Sequence, residues 1–192
     1  NDGTPNNNTW TEYTVDASFD GVLSVYATDM DGDGDVDIIG GAAGGDDVSW
    51  WENDGTPNNN DWTEYLVDGD FDGTYSVYPT DMDGDGDVDI LGAARDGDDI
   101  SWWENDGTPN NNTWTEYAVD ASFNGAASVY ATDMDGDGDV DILGAGFDGS
   151  TISWWINDGN PKQNSWTEYT VDASFNGPRS VYATDMDGDG DV

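Results

Sequence analysis

Five carboxylates occupy alternate positions in Asp29-Met30-Asp31-Gly32-Asp33-Gly34-Asp35-Val36-Asp37, with glycines where a tight loop must turn. Aspartates this close repel one another strongly at the low effective dielectric of a compact loop, so the cluster folds poorly unless a cation neutralises it. Calcium suits it best, as a hard ion that takes roughly six to eight oxygen ligands. The spacing assigns Asp29, Asp31 and Asp33 as side-chain ligands, the carbonyl of Asp35 as the next, and Asp37 as the closing acid. Gly34 supplies the positive φ that aims the ligands inward. The same nine residues recur at 81 to 89, giving Asp81, Asp83, Asp85, Asp87 and Asp89 the same roles, and at 133 to 141, with Asp133, Asp135, Asp137, Asp139 and Asp141. A last copy runs through Asp185, Asp187, Asp189 and Asp191 and stops at Val192.

The start of the loop matches an EF-hand, but the rest does not. An EF-hand closes with a glutamate at its twelfth position, where this loop has Gly40; here the acid comes three residues sooner. The flanks are Ser24-Val25-Tyr26-Ala27 and Ile38-Ile39-Gly40, short, β-prone and limited by glycine, so the loop is expected to join two strands. A solvated acidic turn is the bland alternative, and three complete copies argue against it.

Such loops need a frame that presents them repeatedly, and the composition says what kind. The chain has 192 residues, with 43 acids against 3 bases, a net charge of −40, and no histidine or cysteine. That charge argues against nucleic acid and anionic lipid as partners, because both would be repelled. Ordinary zinc sites, cysteine or histidine nucleophiles and a Ser-His-Asp triad are excluded by the missing residues. No apolar run approaches a membrane span, and neither a signal peptide nor an initiator methionine is present. Lack of cysteine leaves the redox compartment open, since calcium can replace disulfides in extracellular repeat proteins. The acid excess has two readings, a salt-rich habitat or the loops with their Asp-Gly turns; the loops hold a large share of the aspartates and favour the second.

Asn-Asp-Gly stands at Asn1, Asn53, Asn105 and Asn157, a period of 52 residues without insertion. One array over 1–192 is expected, in units 1–52, 53–104, 105–156 and a partial 157–192, as a segment of a longer chain. Each unit offers four strand candidates, first Leu23 to Thr28, Val36 to Gly41, Val48 to Asn53 and Trp62 to Val67, bounded by Gly, Pro, Asn or Asp. No helix is needed. Such a period with short strands and regular tryptophan predicts an all-β, propeller-like array of four-stranded antiparallel blades, with the calcium loop between first and second strands. Trp50-Trp51, Trp102-Trp103 and Trp154-Trp155 put one indole on each face of a sheet, so stacked sheets would bury both; exposure of one for sugar stacking is the alternative. Residues 10 to 15 are expected as an orphan fourth strand and 180 to 184 as an orphan first strand, so the chain is not expected to close on itself but to continue into a larger ring or a head-to-tail fibre.

The motif Asp-x-Asp-x-Asp-Gly-x-x-Asp, followed by Ile-Ile-Gly-Gly-Ala, Ser-Trp-Trp-Glu-Asn-Asp-Gly and Trp-Thr-Glu-Tyr, resembles the FG-GAP/VCBS repeats, whose integrin α-subunit members form calcium-loaded propellers. The likeness covers the whole chain. It implies an extracellular or cell-surface protein that binds calcium structurally and carries adhesion or recognition on its other loops. The chain departs from a family propeller in having fewer than four complete blades.

Where the units differ, a binding face is one expectation and neutral drift of surface turns the other. They differ at Val22-Leu23, Thr74-Tyr75, Ala126-Ala127 and Pro178-Arg179, and in the turn at 41 to 47 and its counterparts. Alternating turns should place these at the end of each blade opposite the calcium loops. Asn7 and Asn111 begin glycosylation sequons, though asparagine is also a good turn residue. The function expected is a non-enzymatic, calcium-stabilised scaffold for structure, adhesion or an appendage fibre. Its partners would be calcium, further repeats or copies of itself, and glycans or surface proteins, without nucleic acid or membrane insertion. A carbohydrate- or protein-binding propeller is the alternative. A polysaccharide-degrading enzyme ranks below both, because its acid pair needs distinct environments and these acids are repeated.

Overall fold

The computed structural model describes residues 10–163, 165–190 and 192. Strands β1 (Val22–Thr28), β2 (Asp37–Ala42), β3 (Asp47–Glu52) and β4 (Thr63–Asp68) form the first sheet, each within one residue of its predicted bounds. The second sheet holds β5 (Thr74–Thr80), β6 (Asp89–Ala94), β7 (Asp99–Glu104) and β8 (Thr115–Asp120). The third holds β9 (Ala126–Thr132), β10 (Asp141–Gly146), β11 (Thr151–Ile156) and β12 (Thr167–Asp172). All three are antiparallel meanders in chain order, the form that short strands joined by tight turns adopt without crossovers. Short 3-10 turns at Pro109–Asn111 and Pro161–Gln163 are the helical elements among the described residues. They were not foreseen, and each begins at a proline whose fixed φ starts a helical turn.

The sheets stack through the predicted tryptophan pairs. Trp50 of the first sheet and Trp103 of the second share one buried cluster with Ile39, Val48, Phe71, Val77 and Ile90. Trp102 and Trp155 share the next, with Leu91, Ile100, Phe123, Val129 and Ile142. The indoles that face forward, Trp50, Trp102 and Trp154, are each capped by a tyrosine of the outer strand at 4.7, 4.7 and 5.3 Å between ring centroids. Those facing back, Trp51, Trp103 and Trp155, each meet a phenylalanine edge-on at 4.8 to 4.9 Å. The glycine in the middle of each second strand is the other half of this fit. A Cβ on Gly92 would lie 2.6 Å from the Trp103 indole, and Gly40 and Gly144 are as tightly covered by Trp51 and Trp155.

The first strands of the sheets lie beside one another. Ser24 Oγ accepts a hydrogen bond from Val77 N, Ser76 Oγ from Val129 N, and Ser128 Oγ from Val181 N. Beside these bonds Tyr26, Tyr78, Tyr130 and Tyr182 form a row with successive centroids 5.1, 5.0 and 4.6 Å apart. Tyr182 and Val181 therefore occupy the place of a first strand. Residues 180 to 184 are nevertheless not a strand, and neither are 10 to 15, which corrects the expectation of orphan strands at both ends. A strand needs a laddered partner, and among the described residues these segments have no ladder like those that hold β1 and β4.

The third sheet supplies an internal control for this packing, because Trp102 is fully buried between sheets whereas Trp154, its counterpart, is only half-buried. Replacing Trp102 with alanine is expected to cost about 3–5 kcal/mol, and replacing Trp154 clearly less. Urea unfolding reads both; equal costs would contradict the stacking account.

Candidate metal centres

Each acidic loop is shaped by its own first aspartate. Asp29 Oδ1 accepts a hydrogen bond from Gly32 N and Oδ2 one from Gly34 N, at 2.9 and 3.0 Å. Asp81, Asp133 and Asp185 take the same two bonds from the equivalent glycines, so the first half of the loop turns in the same way in all four copies. Gly34, Gly86 and Gly138 adopt φ of 97°, 101° and 101°, a region side chains avoid, as expected for the turning position. The third and fifth positions follow suit, with Asp31 accepting from Asp33 N and Asp33 from Asp35 N.

The result is convergence of like charges. Asp29, Asp31 and Asp33 bring carboxylate oxygens within 4.8 Å of one another, as do Asp81, Asp83 and Asp85, and Asp185, Asp187 and Asp189. In the third loop the converging set is Asp133, Asp135 and the closing Asp141. Asp137 continues the loop chain by accepting from Asp139 N. The seventh-position side chains stand apart: Asp35, Asp87 and Asp139 turn toward Gly55, Gly107 and Gly159 of the next turn, leaving the main chain as their route to a cation. Asp191 lies outside the described residues.

The closing acids do more than the spacing implied. Asp37 is fully buried, and its two oxygens accept from Met30 N and Asn53 N, both at 2.8 Å. Asp89 and Asp141 repeat this with Met82 and Asn105, and with Met134 and Asn157. One carboxylate thus ties the loop's start to the end of the third strand. Burial pushes all three carboxyls upward, Asp89 to about 7, against the lowering effect of those backbone bonds and with repulsion from the neighbouring loop acids. An all-oxygen donor set, like charges held together and a buried acid at its base fit a hard cation, and these clusters could bind a metal ion.

Two participants were not read from the sequence. The asparagine of Asn-Asp-Gly, noted only as a period marker, donates from Nδ2 to the carbonyls of Val36, Val88 and Val140 inside the loops. Asn105 also reaches Met30 O in the loop of the preceding sheet, at 3.4 Å. Lys162 stands where the earlier units have Asn58 and Asn110, and its Nζ lies 2.5 Å from both Asp83 and Glu104. The second acidic loop therefore carries a fixed positive charge from the third sheet, where Lys162 lies between β11 and β12. Of the two sequons, Asn7 lies outside the described residues, and Asn111 ends a 3-10 turn with its carboxamide oxygen accepting from Thr113 N.

A family model described as FG-GAP-like repeat matches residues 29–92, 81–144 and 133–192. Each match begins at the first aspartate of an acidic loop. No curated protein sequence matches the chain.

Lys162 predicts unequal loops. A unit charge about 5 Å from a divalent ion opposes its binding even in water-like dielectric, so Lys162→Asn is expected to raise the affinity of the second loop about tenfold. Calcium titration calorimetry on the wild type and the variant reads this, with Asp81→Asn removing one binding event to identify the loop. An unchanged isotherm in Lys162→Asn would show that the ion pair does not bear on cation binding.

Proposed function

The chain belongs to the FG-GAP-like repeat family, and on that premise we propose that it is a calcium-stabilised, extracellular repeat scaffold of propeller-like build, serving structure, adhesion or an appendage. Calcium is the ion we assign to the loops, with Asp29, Asp31, Asp33 and Asp37 and their counterparts as side-chain ligands and Asp35 and its counterparts through the carbonyl. The ion supplies charge neutralisation; the chain supplies the pinned carboxylates. No helix of the described residues is long and apolar enough to cross a membrane.

The observation that carries the scaffold reading is the chemistry of the two outer sheet faces. Val25 on the first sheet is 63% exposed, whereas its counterparts Val77 and Val129 are 1% and 4% exposed between sheets. Phe175, after the last strand, is 54% exposed, and its counterparts Phe71 and Phe123 are 5%. Each outer face therefore repeats residues that are buried where the same face meets a neighbouring sheet. An apolar cleft of about 380 Å³ lined by Phe19, Val25, Tyr26, Ile38 and Trp51 marks the first of them. We assign these faces to further units of the same repeat, in this chain or in a second copy, stacked as the internal sheets are.

A mixing experiment tests this. Val25→Asp and a change to aspartate at Val171, which is exposed on β12, each spoil one outer face, so in saturating calcium each variant alone is expected to sediment as a monomer while the wild type associates in a concentration-dependent way. An equimolar mixture retains one sound face on each partner and should give heterodimers and nothing larger. Association that is untouched by both substitutions would overturn the stacking proposal.

A further inference from the structure

We infer that the end of the array opposite the acidic loops carries a pocket for a carboxylate-bearing ligand of about the size of one sugar ring, with Arg179 as its charged anchor. The pocket, about 190 Å³, is lined by Leu23, Tyr75, Arg95, Ala127, Phe147 and Arg179. Those six residues come from just two positions of the repeat. Leu23, Tyr75, Ala127 and Arg179 are equivalent to one another, and Arg95 and Phe147 are equivalent to Ala43. In a chain whose units are otherwise close copies, the walls of this pocket are built from positions that change in every unit.

The backbone singles out the same residues. Pairing skips Leu23 between Val22 and Ser24, Tyr75 between Thr74 and Ser76, and Ala127 where Ser128 and Ala126 face consecutive residues of β10. These are bulged residues, and a bulge redirects its side chain out of the alternation of the strand. Here it turns three differing side chains toward one opening.

The charges are placed against the trend of the molecule. Of the 3 basic residues in a chain of net charge −40, two have their guanidinium carbons 4.4 Å from the centre of the Phe147 ring. Arg95 is committed, pairing with Asp148 at 3.0 Å and donating to Tyr75 Oη at 3.0 Å. Arg179 is exposed, and among the described residues no carboxylate pairs with it, although 43 acids are available in the chain. It is held by an aromatic ring instead, which leaves its planar fork of donors open to a bidentate carboxylate. Leu23, Ala127 and the Tyr75 ring offer apolar walls for the body of the ligand. The volume falls below the roughly 300 Å³ of pockets for drug-sized molecules, which limits the occupant to a single ring or residue.

A uronic acid and the acidic side chain of a peptide share this chemistry, and titration separates them. At fixed saturating calcium, glucuronate, glucose and N-acetyl-aspartate amide are titrated in turn and followed by protein-observed NMR. Glucuronate is expected to bind, with glucose at least about tenfold weaker and Arg179→Gln reducing glucuronate affinity by about tenfold or more. Thermal stability and calcium binding of Arg179→Gln should match the wild type, since the residue is exposed. Binding of the aspartate compound as tightly as glucuronate would support the carboxylate site and assign it to peptides. Equal binding of glucose and glucuronate, no binding of either acid, or an Arg179→Gln variant that binds like the wild type would overturn the proposal.

Discussion

Repulsion among the aspartates of each acidic loop is the constraint on which the rest of the structure depends. The loops sit where one strand hands over to the next, so a loop that springs open releases the second strand of its sheet. Their closing acids are buried and bonded to the end of the third strand, which makes the loop a corner of the sheet and not a surface appendage. The cost of burying those carboxyls is visible in their raised proton affinity. On the proposal made above, a bound cation would turn contacts that repel in the bare loop into contacts that fasten it.

Against this stands a packing scheme that is apolar and directional. Each sheet carries a tryptophan on both faces, and a bare glycine lets the backward-facing indole lie flat on the strand beside it. The two internal interfaces repeat one another residue for residue, Trp50 and Trp103 in the first and Trp102 and Trp155 in the second. The sheets are also joined by polar contacts at this edge, a hydrogen bond from Asn105 to the loop before it and the ion pairs of Lys162 with Asp83 and Glu104. Sheet packing and the acidic loops thus meet at one edge of the stack, while the opposite edge varies, as Leu23, Tyr75 and Arg179 do.

Most of this was legible in the residues. The 52-residue period, the strand limits and the tryptophan stacking follow from local pattern, because a repeat confines nearly all contacts to one unit and the next. The convergence of Asp29, Asp31 and Asp33 was readable for the same reason, since a loop of alternating acids and glycines has few ways to turn. What escaped was contact across distance. Nothing local shows that Asn53 would cap the loop from beyond two strands, that Lys162 would reach Asp83, or that Arg95 and Arg179 would meet over Phe147. The orphan strands at 10 to 15 and 180 to 184 failed for a related reason: their sequences favour strand, but pairing is a property of the neighbour.

The central claim is that calcium is part of the fold, and thermal unfolding at low ionic strength with and without a chelator tests it most directly. At a free ion concentration about a hundredfold above the dissociation constant, each site contributes roughly 2.7 kcal/mol, so three occupied loops are comparable with the whole net stability of a domain. The account predicts that excess chelator lowers Tm by about 20 °C or unfolds the chain outright, and that added calcium restores it. A Tm that is the same in chelator and in millimolar calcium would contradict it.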